Sequence, residues 1–172
     1  MHFHMPIQQV VRRKDTHFQH GFARKVKALL PASENFLLEP SRAGLLVLGK
    51  NEEALALPVE TLRDIYGAKL EVQPPAVRLI EGVQVHEPIM HVRISMRVQF
   101  RDPVKAALQA RGALAEEEYA RAHYCVLRYQ APLARLLGLA AELNACTAGS
   151  ARHWIALSHY ALVTHDPAGR AA

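Results

Sequence analysis

Ten histidines, two cysteines and a scatter of carboxylates are the side chains of this 172-residue chain suited to acid–base, nucleophilic or metal chemistry. Their spacing argues against all three. His2 and His4 share one face of an extended segment, but a metal needs at least a third protein ligand and none is identifiable. His17 and His20 share one face of a helix, and His153 and His159 are both expected to point inward from the last strand. Cys125 and Cys146 read as free thiols in core positions, one on a strand and one on a helix. Ser41, Ser150 and Ser158 lie in no nucleophile-elbow pattern. Gly44, Gly49 and Gly67 never form the GxxxxGK[ST] loop that cradles phosphates, so no nucleotide and no unaided GTP hydrolysis is expected. Glu52-Glu53 and Glu116-Glu117-Glu118 read as exposed charge. The expectation is a protein that is not an enzyme and uses no cofactor.

The elements that would position these residues repeat one order twice. In residues 1–82 a short strand at Pro6–Val11 precedes a helix capped by Asp15 or Thr16, with Phe18, Phe22, Val26, Leu29 and Leu30 on one face. The opposite face carries His17, His20, Arg24 and Lys27 and reads as solvated. Strands at Asn35–Glu39 and Leu45–Leu48 follow. A second helix carries Leu55, Val59, Leu62 and Tyr66, with Pro58 expected near its first turn and Gly67 as its stop. A last strand, Lys69 to Ile80, is expected to be irregular at Pro74-Pro75 and to lie at an edge.

Residues 87–163 repeat the order. Val92, Ile94, Met96, Val98 and Phe100 alternate with His91, Arg93, Ser95, Arg97 and Gln99 along a strand. Asp102-Pro103 reads as an N-cap with proline at the first helical position. Further strands are expected at Tyr124–Tyr129 and Ala151–Val163, with a helix at Leu133–Thr147 between them. Residues 164–172 read as a flexible tail. The fold class is therefore α+β: two tandem ferredoxin-like (βαββαβ) domains, each a four-stranded antiparallel sheet with two helices on one face.

With the apolar set inward, the uncovered face of the second sheet carries Arg93, Arg97, Tyr124, Arg128, Arg152, Trp154 and Tyr160. Arginine for phosphate and aromatic rings for base stacking suit single-stranded RNA. The same residue types also suit packing against the first domain, a protein partner or a second copy of the chain. Glu116-Glu117-Glu118 argues against nucleic acid.

The second half also matches a known pattern. Glu87-Pro88-Ile89-Met90, Pro132-Leu133, Gly138, Leu143, Thr147, Gly149, Ala151 and His159-Tyr160 occur in an order that resembles the C-terminal domain (domain V) of elongation factor G and its ribosomal-GTPase relatives. The first half is similar to domain III of that family through Gly49, Leu55 to Gly67 and Leu70-Glu71-Val72-Gln73-Pro74-Pro75. The usual Gly-Met-Gly-Glu-Leu-His turn is replaced by Gly49-Lys50-Asn51-Glu52-Glu53-Ala54. Six residues, Glu81 to His86, stand where the family has domain IV, and the GTPase and β-barrel domains have no counterpart in the sequence. The resemblance implies contact with ribosomal RNA through the loops around the second helix and last strand. Asn144 and Ser150 replace two family arginines, Arg111 is kept, and Arg152 lies close to the lost position.

Charge adds little. Residues 1–82 hold 11 basic against 9 acidic residues and the remainder 10 against 7, so the net +5 is spread and permits RNA binding without demanding it. The N-terminus lacks a signal peptide's charged start and apolar run, and no stretch nears the roughly 20 apolar residues of a membrane span. A cytoplasmic, non-catalytic interaction module derived from a translation factor is expected, acting through protein contacts as a homodimer or an adaptor. The alternative is an RNA- or ribosome-binding protein.

Overall fold

The structure, a computed structural model, describes residues 2–163; the tail expected at 164–172 lies outside the described residues. The architecture is mixed α+β, with two antiparallel sheets and helices packed on them. The first unit comprises β1 (Ile7–Arg13), α1 (Gln19–Leu29), β2 (Phe36–Ser41), β3 (Gly44–Gly49), α2 (Glu52–Tyr66), β4 (Leu70–Val72) and β5 (Ala76–Val77). Its strands run in the order β2-β3-β1-β4, and β5 also pairs with β1. One long last strand was expected; Pro74-Pro75 split it in two, since proline donates no ladder hydrogen bond. The sheet thus has five strands, not four.

Helix α1 begins later than its capping residues suggest. Asp15 is occupied by Arg13 at 2.9 Å and by Lys69 at 3.3 Å, and Thr16 Oγ1 accepts from the Phe18 N–H instead of from the helix. Gln19 anchors the turn through both the N–H and the carbonyl of Arg13. Phe22, Ala23 and Val26 carry the buried face, while Phe18 is 75% exposed and Leu29 is also outside. His17, His20, Arg24 and Lys27 are solvated. Pro58 is not near the start of α2 but deep within it and buried, because the helix starts at Glu52 under an Asn51 cap. Without an N–H, Pro58 leaves the Ala54 carbonyl without its usual helical donor.

The second unit comprises β6 (His86–Arg97), α3 (Arg101–Ala110), β7 (Leu114–Arg121), β8 (Tyr124–Pro132), α4 (Leu133–Leu136), α5 (Leu139–Cys146) and β9 (Arg152–Leu162). The strand order is β7-β8-β6-β9. Met90, Val92, Ile94 and Met96 are buried as the alternation requires, but the strand stops at Arg97 and Val98–Phe100 is a 3-10 turn. Asp102 is not the cap of α3. It lies within the first turn, where its charge still faces the positive end of the helix. The single helix expected at 133–147 is two, separated by Gly138 in the left-handed region (φ 78°).

The units share one contiguous core cluster, from Ile7 and Val11 in β1 to Leu136 and Leu139 in α4 and α5. Among the described residues, three hydrogen bonds that involve side chains join them. Asn51 Nδ2 donates to the Ile155 carbonyl (2.9 Å), the Gly138 N–H donates to Glu52 Oε2 (2.9 Å), and Tyr160 OH donates to the Phe3 carbonyl (3.0 Å). Among the described residues no helix is long and apolar enough to cross a membrane.

Leu127→Ala, in a fully buried position, is expected to lower unfolding free energy by about 2–5 kcal/mol. Leu29→Ala, on the exposed side of α1, should stay within about 0.5 kcal/mol. Urea unfolding of the two variants tests the assignment of the faces.

Candidate functional site

Antiparallel register places the face residues in rows across the second sheet. One row runs Glu117, Arg128, Arg93, Trp154; the next runs Arg121, Tyr124, Arg97; between them Arg152 stands beside Ser95. Arg93, Arg97, Arg128 and Arg152 are exposed, as are Tyr124 (48%) and Trp154 (59%). The first unit does not cover this face. It approaches the sheet at β9, the strand on the sheet's margin.

Charges on the face are unevenly matched. Arg128 is paired with Glu117 at 3.0 Å and His91 with Glu116 at 3.3 Å. Arg93 lies directly opposite Arg128, an arrangement of like charges that costs stability unless an anion offsets it. Among the described residues, Arg93, Arg97 and Arg152 meet no carboxylate within ion-pair distance. A hollow of about 520 Å³, lined by His91, Arg93, Glu116, Arg128 and Trp154, lies over the center of the face.

The acidic run is divided by a bulge between Ala115 and Glu117. Glu117 remains on the free face, while Glu118 turns to the helix side and binds Lys105 (2.7 Å) and Arg101 (3.4 Å). The hydrogen bond from Lys105 holds the Glu118 carboxyl below its ordinary range.

One residue expected on the face is elsewhere. Tyr160 leaves the free face because the ladder slips between Ile89 and Met90: Leu157 opposes Met90, His159 opposes Ile89, and Ser158 is the extra residue. The slip reverses the side-chain alternation, so Tyr160 bonds to Phe3 of the first unit, and its burial pushes its pKa up. It likewise turns His159 outward, against the inward position expected. His159 is exposed and hydrogen-bonded to Ser158 at 2.9 Å. Arg111, which the resemblance implies at a ribosomal-RNA contact and not on this face, stands at the end of α3. It donates to the carbonyls of Arg135 and Leu137 and to Glu142, clamping the α4–α5 junction. No local sequence signal marks the slip; Arg111 beside Gly112 hinted at a helix end but not at its partners.

The residues suited to chemistry stay apart. His2 pairs with Glu39 at 3.0 Å, and His4 packs edge-on against it at 5.9 Å. His153 faces Glu53 of the first unit at 3.8 Å. Among the described residues no three His, Cys, Asp or Glu side chains are grouped to hold a metal ion. Burial pushes both the Cys125 and Cys146 thiols up, opposite to what a nucleophile needs.

The family model for the elongation factor G C-terminus matches residues 84–171, the stretch that contains this sheet. The chain belongs to that family. A crystal structure of a protein from Thermus thermophilus matches with a TM-score of 0.68 at 16% identity, over 96% of this chain and 42% of that one, which shows a shared fold. This chain therefore spans less than half the length of that similar structure. No curated protein matches. Within the elongation factor G family frame, Asn144 and Ser150, where the resemblance implies arginines, are both exposed and tied to the turn after α5. The Asn144 carbonyl accepts from Gly149, and Ser150 Oγ donates to Thr147.

The shift of Glu118 has a defined pH sign. Its folded pKa is depressed, so its contribution is present above the ordinary glutamate pKa and is lost as pH falls through the folded value. Carbon-detected NMR titration should show Glu118 ionizing below the ordinary range in wild type and near it in Lys105→Met. Cys125 should resist alkylation in the folded protein and react on denaturation, as mass spectrometry of iodoacetamide-treated samples will show.

Proposed function

We propose that this chain is a non-catalytic contact module related to the translation apparatus, with the free face of the second sheet as its docking surface. The reading treats the two units as tandem ferredoxin-like domains similar to domains III and V of elongation factor G, acting in the cytoplasm. One observation carries it. Arg93, Arg97 and Arg152 stand without carboxylate partners among the described residues, beside Trp154 and Tyr124, on a face that the first unit leaves open. Arginine and exposed aromatic rings are the residue types that dominate protein interfaces, so a protein partner or a second copy of the chain is the first reading.

RNA is the second reading, and the row geometry favors it. Cross-strand arginines beside a Trp ring offer phosphate contacts next to a stacking platform. Glu118, turned to the helix side, no longer offsets the charge of the face. The remaining carboxylates, Glu116 and Glu117, sit at one margin.

Co-sedimentation with ribosomes and with total RNA, at low and high salt, separates the readings. RNA docking predicts binding that falls with salt, and a salt slope reduced by about 2 in Arg93→Ala/Arg97→Ala, about 1 per lost phosphate contact. Binding to ribosomes that is insensitive to salt and absent with free RNA supports a protein contact. Absence of both at low salt removes the translation apparatus as the target of this face.

A further inference from the structure

Counted by halves, the charge of the chain is spread; counted by structural element, it is not. Of the 21 basic and 16 acidic residues, six and one fall within residues 12–27, which leaves 15 of each in the rest of the chain. The whole formal charge of +5 therefore belongs to the end of β1 and to α1.

Two hydrogen bonds to backbone carbonyls draw further cations to the same rim. Arg12 Nε donates to the Ala43 carbonyl (2.7 Å), which brings the β2–β3 turn and Arg42 to the end of β1. The Lys14 N–H donates to the Lys69 carbonyl (2.8 Å). Asp15, the one carboxylate of the stretch, is shared by Arg13 and Lys69. Lys14, Arg24, Lys25, Lys27 and Arg42 are exposed, and among the described residues none of them meets a carboxylate within ion-pair distance.

Helix stability does not account for these charges. The first turn of α1 holds no acidic residue and no side-chain cap. Lys27 alone sits in the last turn, where a cation suits the helix dipole. At about 3.6 residues per turn, the face opposite the buried Phe22, Ala23 and Val26 is crowned by the small Gly21 and Ala28, with Arg24 between them. Lys25 flanks the crown on one side, and His20 and Lys27 flank it on the other. A low ridge with cations on both sides and a basic rim at its foot can meet two lines of negative charge at once.

Three other occupants are disfavored. A membrane-bound helix lays its apolar face in the lipid, but that of α1 is buried in the core, and the exposed Phe18 and Leu29 stand at opposite ends of the helix. Protein interfaces are depleted of lysine, and this tract holds Lys14, Lys25, Lys27 and Lys69. A single strand asks for several stacking rings; of the Phe and Tyr residues here only Phe18 is exposed, and its ring rests against Gly21.

Between duplexes, the crown decides. A helix in the major groove of B-DNA reads base edges with side chains at its crown, where Gly21 and Ala28 bring none. The minor groove of an RNA duplex is wide and shallow and is held by shape, through phosphates and 2′-hydroxyls. A low ridge flanked by cations suits it.

We propose that the basic rim and α1 bind the phosphate backbone of double-stranded RNA without regard to sequence, with the ridge of α1 against the minor groove. This surface is separate from the free face of the second sheet, and the proposal does not depend on the reading of that face.

The test is fluorescence anisotropy of a labeled RNA duplex of about 16 base pairs, titrated with the whole chain over a series of salt concentrations. Expected is binding that weakens with salt and is equal for two duplexes of unrelated sequence. Lys14→Gln/Arg24→Gln/Lys25→Gln should lose about tenfold or more in affinity, and about 1 in the salt slope for each phosphate contact removed. Its circular dichroism spectrum should be unchanged, since all three residues are exposed. Arg93→Ala/Arg97→Ala/Arg152→Ala removes the same charge from the free face and should bind the duplex as wild type does. Absence of binding at low salt overturns the proposal. Equal weakening by the two triple variants also overturns it, because net charge alone would then explain the binding. So does tighter binding of the free-face variant to a single strand or to a DNA duplex. Sedimentation with phosphatidylserine vesicles that is abolished by Lys14→Gln/Arg24→Gln/Lys25→Gln would make a membrane the occupant, and would overturn it too.

Discussion

The Asn51 side chain is the contact on which the arrangement of the two units turns. Its Oδ1 accepts from the Ala54 N–H, satisfying one of the free donors at the start of α2, and its Nδ2 donates to Ile155 in the other unit. One amide thereby fixes where a helix begins and where the neighboring sheet is held. The next residue extends the join, because Glu52 accepts from the Gly138 N–H. That bond is available only because the chain turns left-handed at Gly138, breaking the last helix in two and presenting its backbone to the first unit. The short segment Gly49 to Ala54 thus carries two of the contacts between the units.

The bulge in β9 divides the second sheet into two regions of different use. Before Ser158 the strand presents Trp154 to the free face and Ile155 and Leu157 to the core. After it the alternation reverses, sending Tyr160 toward Phe3. Without the extra residue Tyr160 would lie with the arginines and its hydrogen bond to Phe3 of the first unit would be lost. The bulge in β7 has a comparable effect on charge, because it turns Glu118 to Lys105 and leaves Glu117 with Arg128. Two single-residue slips therefore decide which side chains the free face of the second sheet carries.

Much of the fold is legible in the sequence. Alternation of Met90, Val92, Ile94 and Met96 against Arg93 and Arg97 places both faces of the central strand. Gly67 and the prolines after Val72 mark boundaries by backbone chemistry that acts within a few residues. Asp15 and Asp102 looked like caps, but Asp15 found stronger partners in Arg13 and Lys69, and α3 begins before Asp102. Pro58 looked like a helix start, yet burial in the core outweighs the lost hydrogen bond. For Asp15 the contact with Lys69, and for Pro58 burial in the core, outweighed a local preference.

The same division holds for the site. Residue types and period-two spacing were enough to put Arg93, Arg97, Tyr124, Arg128, Arg152 and Trp154 on one side of a sheet, because strand geometry forces alternation wherever pairing is regular. What alternation cannot carry is its own interruption. A bulge depends on how two strands are paired, and neither strand records that alone, so the positions of Tyr160, His159 and Glu118 were decided only on folding. Arg111 shows the same limit: its charge is plain in the sequence, but the carbonyls and carboxylate it satisfies lie 24 to 31 residues away. The junction of the two units is tertiary throughout, since Asn51 and Ile155 lie 104 residues apart and come together only on folding.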